Sequence, residues 1–361
     1  MRRSKAMRME ASLDVAAAAN ERASDARARG DIALARREAT TAHARFRRCA
    51  GASHPDTAST LALLGALDLD AGDFNAARAK LSRAVRSLEQ YSRYRAVRPM
   101  LHRARCDLAR TLRELGRYVE ARASAERALV IARGIGPHAT IEALNERGMI
   151  CKYAGWFAVG VRSYRAAVAL LEAQSPVDRD ALATLLHNQG GIEHARERPA
   201  SAEVFARRGL AIRRALDGDD HPRTLADEGA LAAILVDLGA CDEASEMLLA
   251  LKSKFERAYG HTHAEVAVVC DNLAVLYARQ GRFDEALPLA RRALRIVRAR
   301  LGREHPEAAL SAHNLGAVLA ALGRSRDARR LFDEAIDVAK RALGVAHPTT
   351  RAAIEARRAL G

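Results

Sequence analysis

Three columns of small residues, recurring about every 42 positions, constrain this chain more than any other feature. Aligning Gly30, Gly72, Gly116, Gly155, Glu197, Gly239, Gly281 and Gly323 gives successive intervals of 42, 44, 39, 42, 42, 42 and 42 residues. Seven residues before each stands Ala23, Gly65, Ala109, Gly148, Gly190, Ala232, Ala274 or Gly316. Five after each stands Ala35, Ala77, Ala121, Gly160, Ala202, Ala244, Ala286 or Ala328. Eight units in register mean a repeat array, which has to be recognised before any domain is drawn. Each unit is expected to be two antiparallel helices. Small residues on both let their axes approach to about 8–10 Å, and the glycine between them takes the left-handed conformation that ends one helix and turns the chain. Two residues further on, Phe74, Tyr118, Phe157 and Phe283 are expected to plug the top of the pair, whereas Cys241, Ser325 and Pro199 predict looser turns.

The junctions between units are as regular. Tyr259-Gly260, Leu301-Gly302 and Leu343-Gly344 close second helices with glycine just past the helix end. His54-Pro55, His221-Pro222, His305-Pro306 and His347-Pro348 then open first helices, with His263-Ala264 in the same register. Proline suits a first turn, where its missing N–H is not needed. One histidine per unit, on stacked pairs about 10 Å apart, is too dispersed to share a metal ion, so these histidines read as structural.

The segment 263–306, HAEVAVVCDNLAVLYARQGRFDEALPLARRALRIVRARLGREHP, resembles the 42-residue tetratricopeptide repeat of the kinesin light chain type, as does 305–348 with HNLGAVLAALGR and ALGVAHP. More loosely, the resemblance runs from about residue 12 to 346. It implies an all-α, right-handed superhelical solenoid of about eight helix–turn–helix repeats over 12–346, the first and fifth degenerate. A basic tail over 1–11 precedes the array and a capping helix over 347–361 closes it, as a solenoid requires. Repeats four and five depart most from the pattern. Gly160 replaces alanine, Glu197 replaces the turn glycine and Pro199 enters the second helix, so a local bend is expected near 196–200.

Composition agrees and narrows the function classes. Alanine, leucine and arginine lead the helix-propensity scale. No apolar run approaches the ~18–20 residues of a membrane span, and Leu13–Ala19, interrupted by Asp14, is too short for an export signal. Cys49, Cys106, Cys151, Cys241 and Cys270 are scattered and form no C-x-x-C pair, which points to a reducing, cytoplasmic setting. The net charge of +15 invites a nucleic-acid partner. Six of the 59 basic residues are Lys, which leaves 53 Arg, a bias that GC-rich coding also produces. The charge is dispersed in pairs such as Arg291-Arg292 and Arg329-Arg330 rather than gathered in a block, so nucleic acid is less favoured than an acidic protein partner. There is no G-x-x-x-x-G-K-[ST] loop, H-E-x-x-H or G-x-S-x-G elbow. An enzyme is not expected, nor a cofactor or a metal.

The resemblance also implies which first-helix positions face the groove: six and three before the small-residue column, and one, four and five after it. In the third repeat these include Arg103, Arg110 and Arg113; in the fourth, Asn145, Lys152 and Tyr153; in the fifth, His187 and His194. Arginine forks suit carboxylate or phosphate, Asn145 suits a ligand backbone and Tyr153 an aromatic wall. The expected function is a non-enzymatic scaffold or adaptor holding an extended acidic peptide across repeats three to five. A merely solvated arginine-rich face would account for the same residues equally well. The pattern is also compatible with a peptide-responsive regulatory sensor acting on a partner in trans, and with a nucleic-acid-associated protein. The sixth and eighth repeats carry small apolar residues instead, such as Ala226, Gly229, Ala317 and Ala320, which suit an inserted amphipathic helix or self-association. Asn188, Asn272 and Asn314, just before the column, resemble the asparagines of the family's N-L-A/G signature and are expected to serve helix–helix contacts or to contact a ligand backbone.

Overall fold

Helices run from turn to turn as the columns require. The computed structural model describes residues 2–345 and 347–361, with the backbone alone for 2–9, so the basic side chains Arg2, Arg3, Lys5 and Arg8 lie outside the described residues. In chain order, first and second helices alternate: α1 (Arg2–Ala28) and α2 (Ile32–Cys49), α3 (Pro55–Asp70) and α4 (Phe74–Glu89), α5 (Arg98–Glu114) and α6 (Tyr118–Ala132), α7 (Pro137–Tyr153) and α8 (Phe157–Glu172). The series continues with α9 (Arg179–Ala195) and α10 (Pro199–Asp217), α11 (Pro222–Leu238) and α12 (Cys241–Tyr259), α13 (Ala264–Arg279) and α14 (Phe283–Leu301), α15 (Pro306–Ala321) and α16 (Ser325–Leu343). A last helix, α17 (Pro348–Arg358), follows. No strand occurs among the described residues; the protein is an all-α helical repeat solenoid. The segment set off as a tail over 1–11 is helical from Arg2 and continues into α1. No helix among the described residues is long and apolar enough to cross a membrane.

The small columns are contact points. The eight positions from Ala35 to Ala328 are all buried. A Cβ placed on Gly316 would stand 2.7 Å from Phe332 Cε1, one on Gly65 2.8 Å from Leu81 Cγ, and one on Gly190 3.2 Å from the Ala202 carbonyl oxygen. At Gly316 and Gly65 a Cβ would force a neighbour to shift, and at Gly190 the facing backbone would have to give by a few tenths of an ångström, because interiors are already close-packed. Of the expected plugs only Tyr118 is buried; Phe74, Phe157 and Phe283 are half-buried, and so are Cys241, Ser325 and Pro199. The turns with smaller residues are therefore no more open at that position.

Glu197 holds φ +59°, where the other repeats have glycine at φ 70–80°. The turn geometry is kept at the cost of left-handed strain on a residue with a Cβ. Pro199 is the first residue of α10 rather than an interruption of it, so the helices on either side of 196–200 keep their places in the repeat. The recurrent histidines are N-caps. Nδ1 of His54, His221, His263, His305 and His347 accepts the N–H two residues on, at 3.2–3.3 Å. That satisfies one of the unpaired donors at each helix start.

The chain forms two compact units, residues 1–150 and 151–361. Within the second, the last helix closes back on an earlier repeat. His347, with Nδ1 occupied by its cap, hydrogen-bonds through Nε2 to the Tyr153 carbonyl at 3.1 Å. Its ring lies so near Gly155 that a Cβ there would stand 2.9 Å from His347 Cδ2.

Candidate functional site

The groove register, carried back to the first two repeats, describes a cavity of about 720 Å³ between α1, α3 and α5. Asn20, Ser24 and Arg27 lie three before, one after and four after Ala23. Ser59, Ala62 and Asp70 lie six before, three before and five after Gly65, and Arg103 lies six before Ala109. Asp107, also on α5, completes the polar lining. Arg27 and Asp70 are joined by two bonds, Nε to Oδ2 at 2.6 Å and Nη2 to Oδ1 at 3.1 Å. Two acceptors in the same cavity are left over. Asn20 Oδ1 is buried and receives no donor, and the Asp107 carboxyl has no hydrogen bond among the described residues. Burial pushes the Asp107 carboxyl up to about 6, with Arg27, Arg110 and Arg103 pulling the other way. Such a perturbed acid in a concave site is a functional-site signature.

Of the sequence-derived residues, Arg103 lines this cavity, and Arg110, one turn further along α5, acts electrostatically on Asp107. Both are exposed, and neither makes an ion pair among the described residues. Arg113 is placed differently. Its side chain is 11% exposed and bridges to Glu146 on α7 at 3.1 Å and to Glu114 at 2.8 Å, so it serves the packing of α5 against α7. Asn145 is half-buried on α7.

The remaining four residues belong to the 151–361 unit. Lys152 Nζ lies 5.4 Å from the centroid of the Tyr153 ring, a cation–π distance. The same ammonium packs over Gly191, where a Cβ would come within 2.8 Å of it. His187 Nδ1 faces Asp227 at 2.7 Å, and His194 Nε2 faces Asp237 at 2.5 Å. Arg279, from the next repeat, joins Asp237 and also donates to the Val236 carbonyl at 2.9 Å. The His194 hydrogen bond and the charges of His194 and Arg279 hold the Asp237 carboxyl below the usual carboxylate range. The first-helix face here is a ladder of opposite charges. Farther along, Asp271 accepts from Ser311 at 2.5 Å and from Asn314, and burial pushes it up to about 6. Asn314 thus ties consecutive first helices together.

Sequence reasoning missed Asn20, Arg27, Asp70 and Asp107. The first three were legible from the groove register, but the first repeat lacks the His-Pro start and reads as loosely packed. Asp107 lies off the register, and nothing in its spacing marks it.

Tetratricopeptide-repeat family models match residues 14–90, 103–135, 180–250, 228–299 and 263–341. No curated protein matches the chain. Among solved structures, the chain is similar to BtubC (BKLC) from P. vanneervenii, 24% identical over 64% of this chain and 94% of that one, with a TM-score of 0.48. It is similar to a Rap protein complexed with competence and sporulation factor, 14% identical over 85% and 88%, TM-score 0.60. It is also similar to NprR in complex with its cognate peptide NprX, 14% identical over 72% of each, TM-score 0.58.

Proposed function

Because the chain belongs to the tetratricopeptide-repeat family, we propose that it is a non-enzymatic scaffold holding an extended, acidic peptide or protein segment against its first helices. The observation that carries this is the cavity between α1, α3 and α5, with two exposed arginines free of ion pairs on α5 beside it. Arg103 and Arg110 supply forks for ligand carboxylates. Asn20 and Asp107, the acceptors without donors, take N–H groups of the ligand. Asn145, Lys152, Tyr153, His187 and His194 stand as further contacts for the same class of ligand. The two histidines have first to give up their aspartates, so Arg103 and Arg110 are the pair to test. Capture from lysate with the wild type and with R103E/R110E should retain a protein on the former and lose it on the latter, both forms giving the same helical circular dichroism spectrum. Identical sets of captured proteins overturn the assignment.

A regulatory sensor is the second reading, and the bond from His347 to the Tyr153 carbonyl favours it. A segment bound on the first helices of 151–361 would tighten or release that closure and so present a different surface to a partner. Small-angle scattering that changes on ligand addition supports a sensor; unchanged scattering with full binding supports a rigid adaptor.

A further inference from the structure

A second cleft lies away from the groove positions, on the second helix of the seventh repeat. Arg291, Arg295 and Arg298 follow one another on α14 at spacings of four and three, which puts them on one helix face. Arg303, in the loop after Gly302, joins them around a cavity of about 500 Å³ floored by Leu294 and Leu315. Some exposed arginines elsewhere in this chain are paired locally, Arg282 with Glu285 and Arg324 with Asp327. Here Arg291, Arg295 and Arg303 are exposed and make no ion pair or side-chain hydrogen bond among the described residues. Arg298 is held at 2.6 Å by Glu334, yet its Nε is buried with no acceptor. Of the four guanidinium groups only Arg298 has a carboxylate partner, and its buried Nε donor is still unmet.

We propose that this cleft binds a single phosphomonoester group, carried on a phosphorylated serine or threonine of a partner protein. A phosphate presents three acceptor oxygens and close to two negative charges, which matches several guanidinium forks better than one carboxylate does. The apolar floor accommodates the carbons beside the phosphate. The extent of the cluster favours a side chain over a nucleic-acid backbone. Forty-two residues earlier the positions of Arg291, Arg295 and Arg298 are Leu249, Ser253 and Glu256; forty-two later they are Asp333, Asp337 and Lys340. Five of those six positions are neutral or acidic, Lys340 being the exception, so the arginine cluster does not continue from repeat to repeat as the basic track under a nucleic-acid strand does. The site is independent of the groove, so R103E/R110E should leave it intact.

The test uses the full chain and a fluorescein-labelled decapeptide pool with a central phosphoserine and randomised flanks, against the same pool with serine. Anisotropy at physiological salt should show the phosphorylated pool binding at least about tenfold tighter. R295Q/R303Q should remove that preference, and the charge-retaining R295K/R303K should weaken it, since lysine lacks the fork. R282Q/R324Q removes the same charge elsewhere and should bind like the wild type. Equal binding of the two pools overturns the proposal, as does unchanged binding by R295Q/R303Q or an equal loss in R282Q/R324Q. A labelled oligothymidylate that binds tighter than the phosphopeptide pool through the same arginines also overturns it, assigning the cleft to nucleic acid.

Discussion

Replacing Asp107 by asparagine should make the protein more stable and worse at binding. In the folded chain the Asp107 carboxyl is pushed from its ordinary 3.8 up to about 6 by burial. Above pH 6 it is ionised in both states, and the folded state carries the difference, which at 1.36 kcal/mol per pKa unit is about 3 kcal/mol. That value already includes the attraction to Arg27 and Arg110, and water reaching the cavity reduces the gain expected from D107N to about 1–3 kcal/mol at pH 7. For a unit of this size that raises the melting temperature by about 2–10 °C. The pH dependence is specific. Between about pH 6 and 4 the wild-type carboxyl is already protonated when folded but still ionises on unfolding, so the advantage of D107N shrinks as pH falls and vanishes near the ordinary value. Parallel melts of both proteins from pH 7.5 to 4 measure this directly. A variant less stable than the wild type at pH 7, or one whose advantage is the same at pH 7 and 4.5, refutes the account of Asp107 as a desolvated acid kept for binding.

Three further outcomes follow from local geometry. H347A removes both the α17 cap and the bond to the Tyr153 carbonyl, and should cost about 1–3 kcal/mol, read as faster amide exchange in α17. Burial holds the His347 pKa below 6.5, so its contribution is complete above pH 6.5 and is lost as pH falls through the folded value; the gap between wild type and H347A should narrow in acid. G316A forces a Cβ to within 2.7 Å of the Phe332 ring, an overpacking cost of about 1–3 kcal/mol that outweighs the ~1 kcal/mol helix-propensity gain. G229A meets only Leu251 Cδ1, at 3.9 Å, and should be stabilised by up to about 1 kcal/mol in urea titration.

The fold was legible because backbone demands repeat. A crossing that excludes a Cβ at Gly316 excludes one at Gly65 for the same reason, and a left-handed turn recurs wherever two helices reverse. Even the exceptions are instructive. Glu197 keeps the turn because the flanking helices over-determine it, and Pro199 is harmless because it falls at a helix start rather than within one. The site was half legible, since spacing reports which way a position faces but not whether its charge is already engaged.

That second question has a pattern of its own. Arg27 and Asp70 pair across 43 residues, and so do His194 and Asp237. In each case the position four after the column meets the position five after the column in the next repeat. Stacked first helices bring these two positions together, so a charge at the one is neutralised whenever the other carries its opposite. Arg113, four after its column, is drawn into the same layer and is held by Glu146 and Glu114. Positions six before and one after the column lie outside that contact, although Glu142, six before Gly148, stands 3.8 Å from His102. Arg103 and Arg110 occupy those two positions on α5, and both stay exposed and without ion pairs. Counting arginines along one helix face therefore overstates what a ligand meets. Sorting them by their place in the repeat separates cations that hold first helices together from cations left open to a partner.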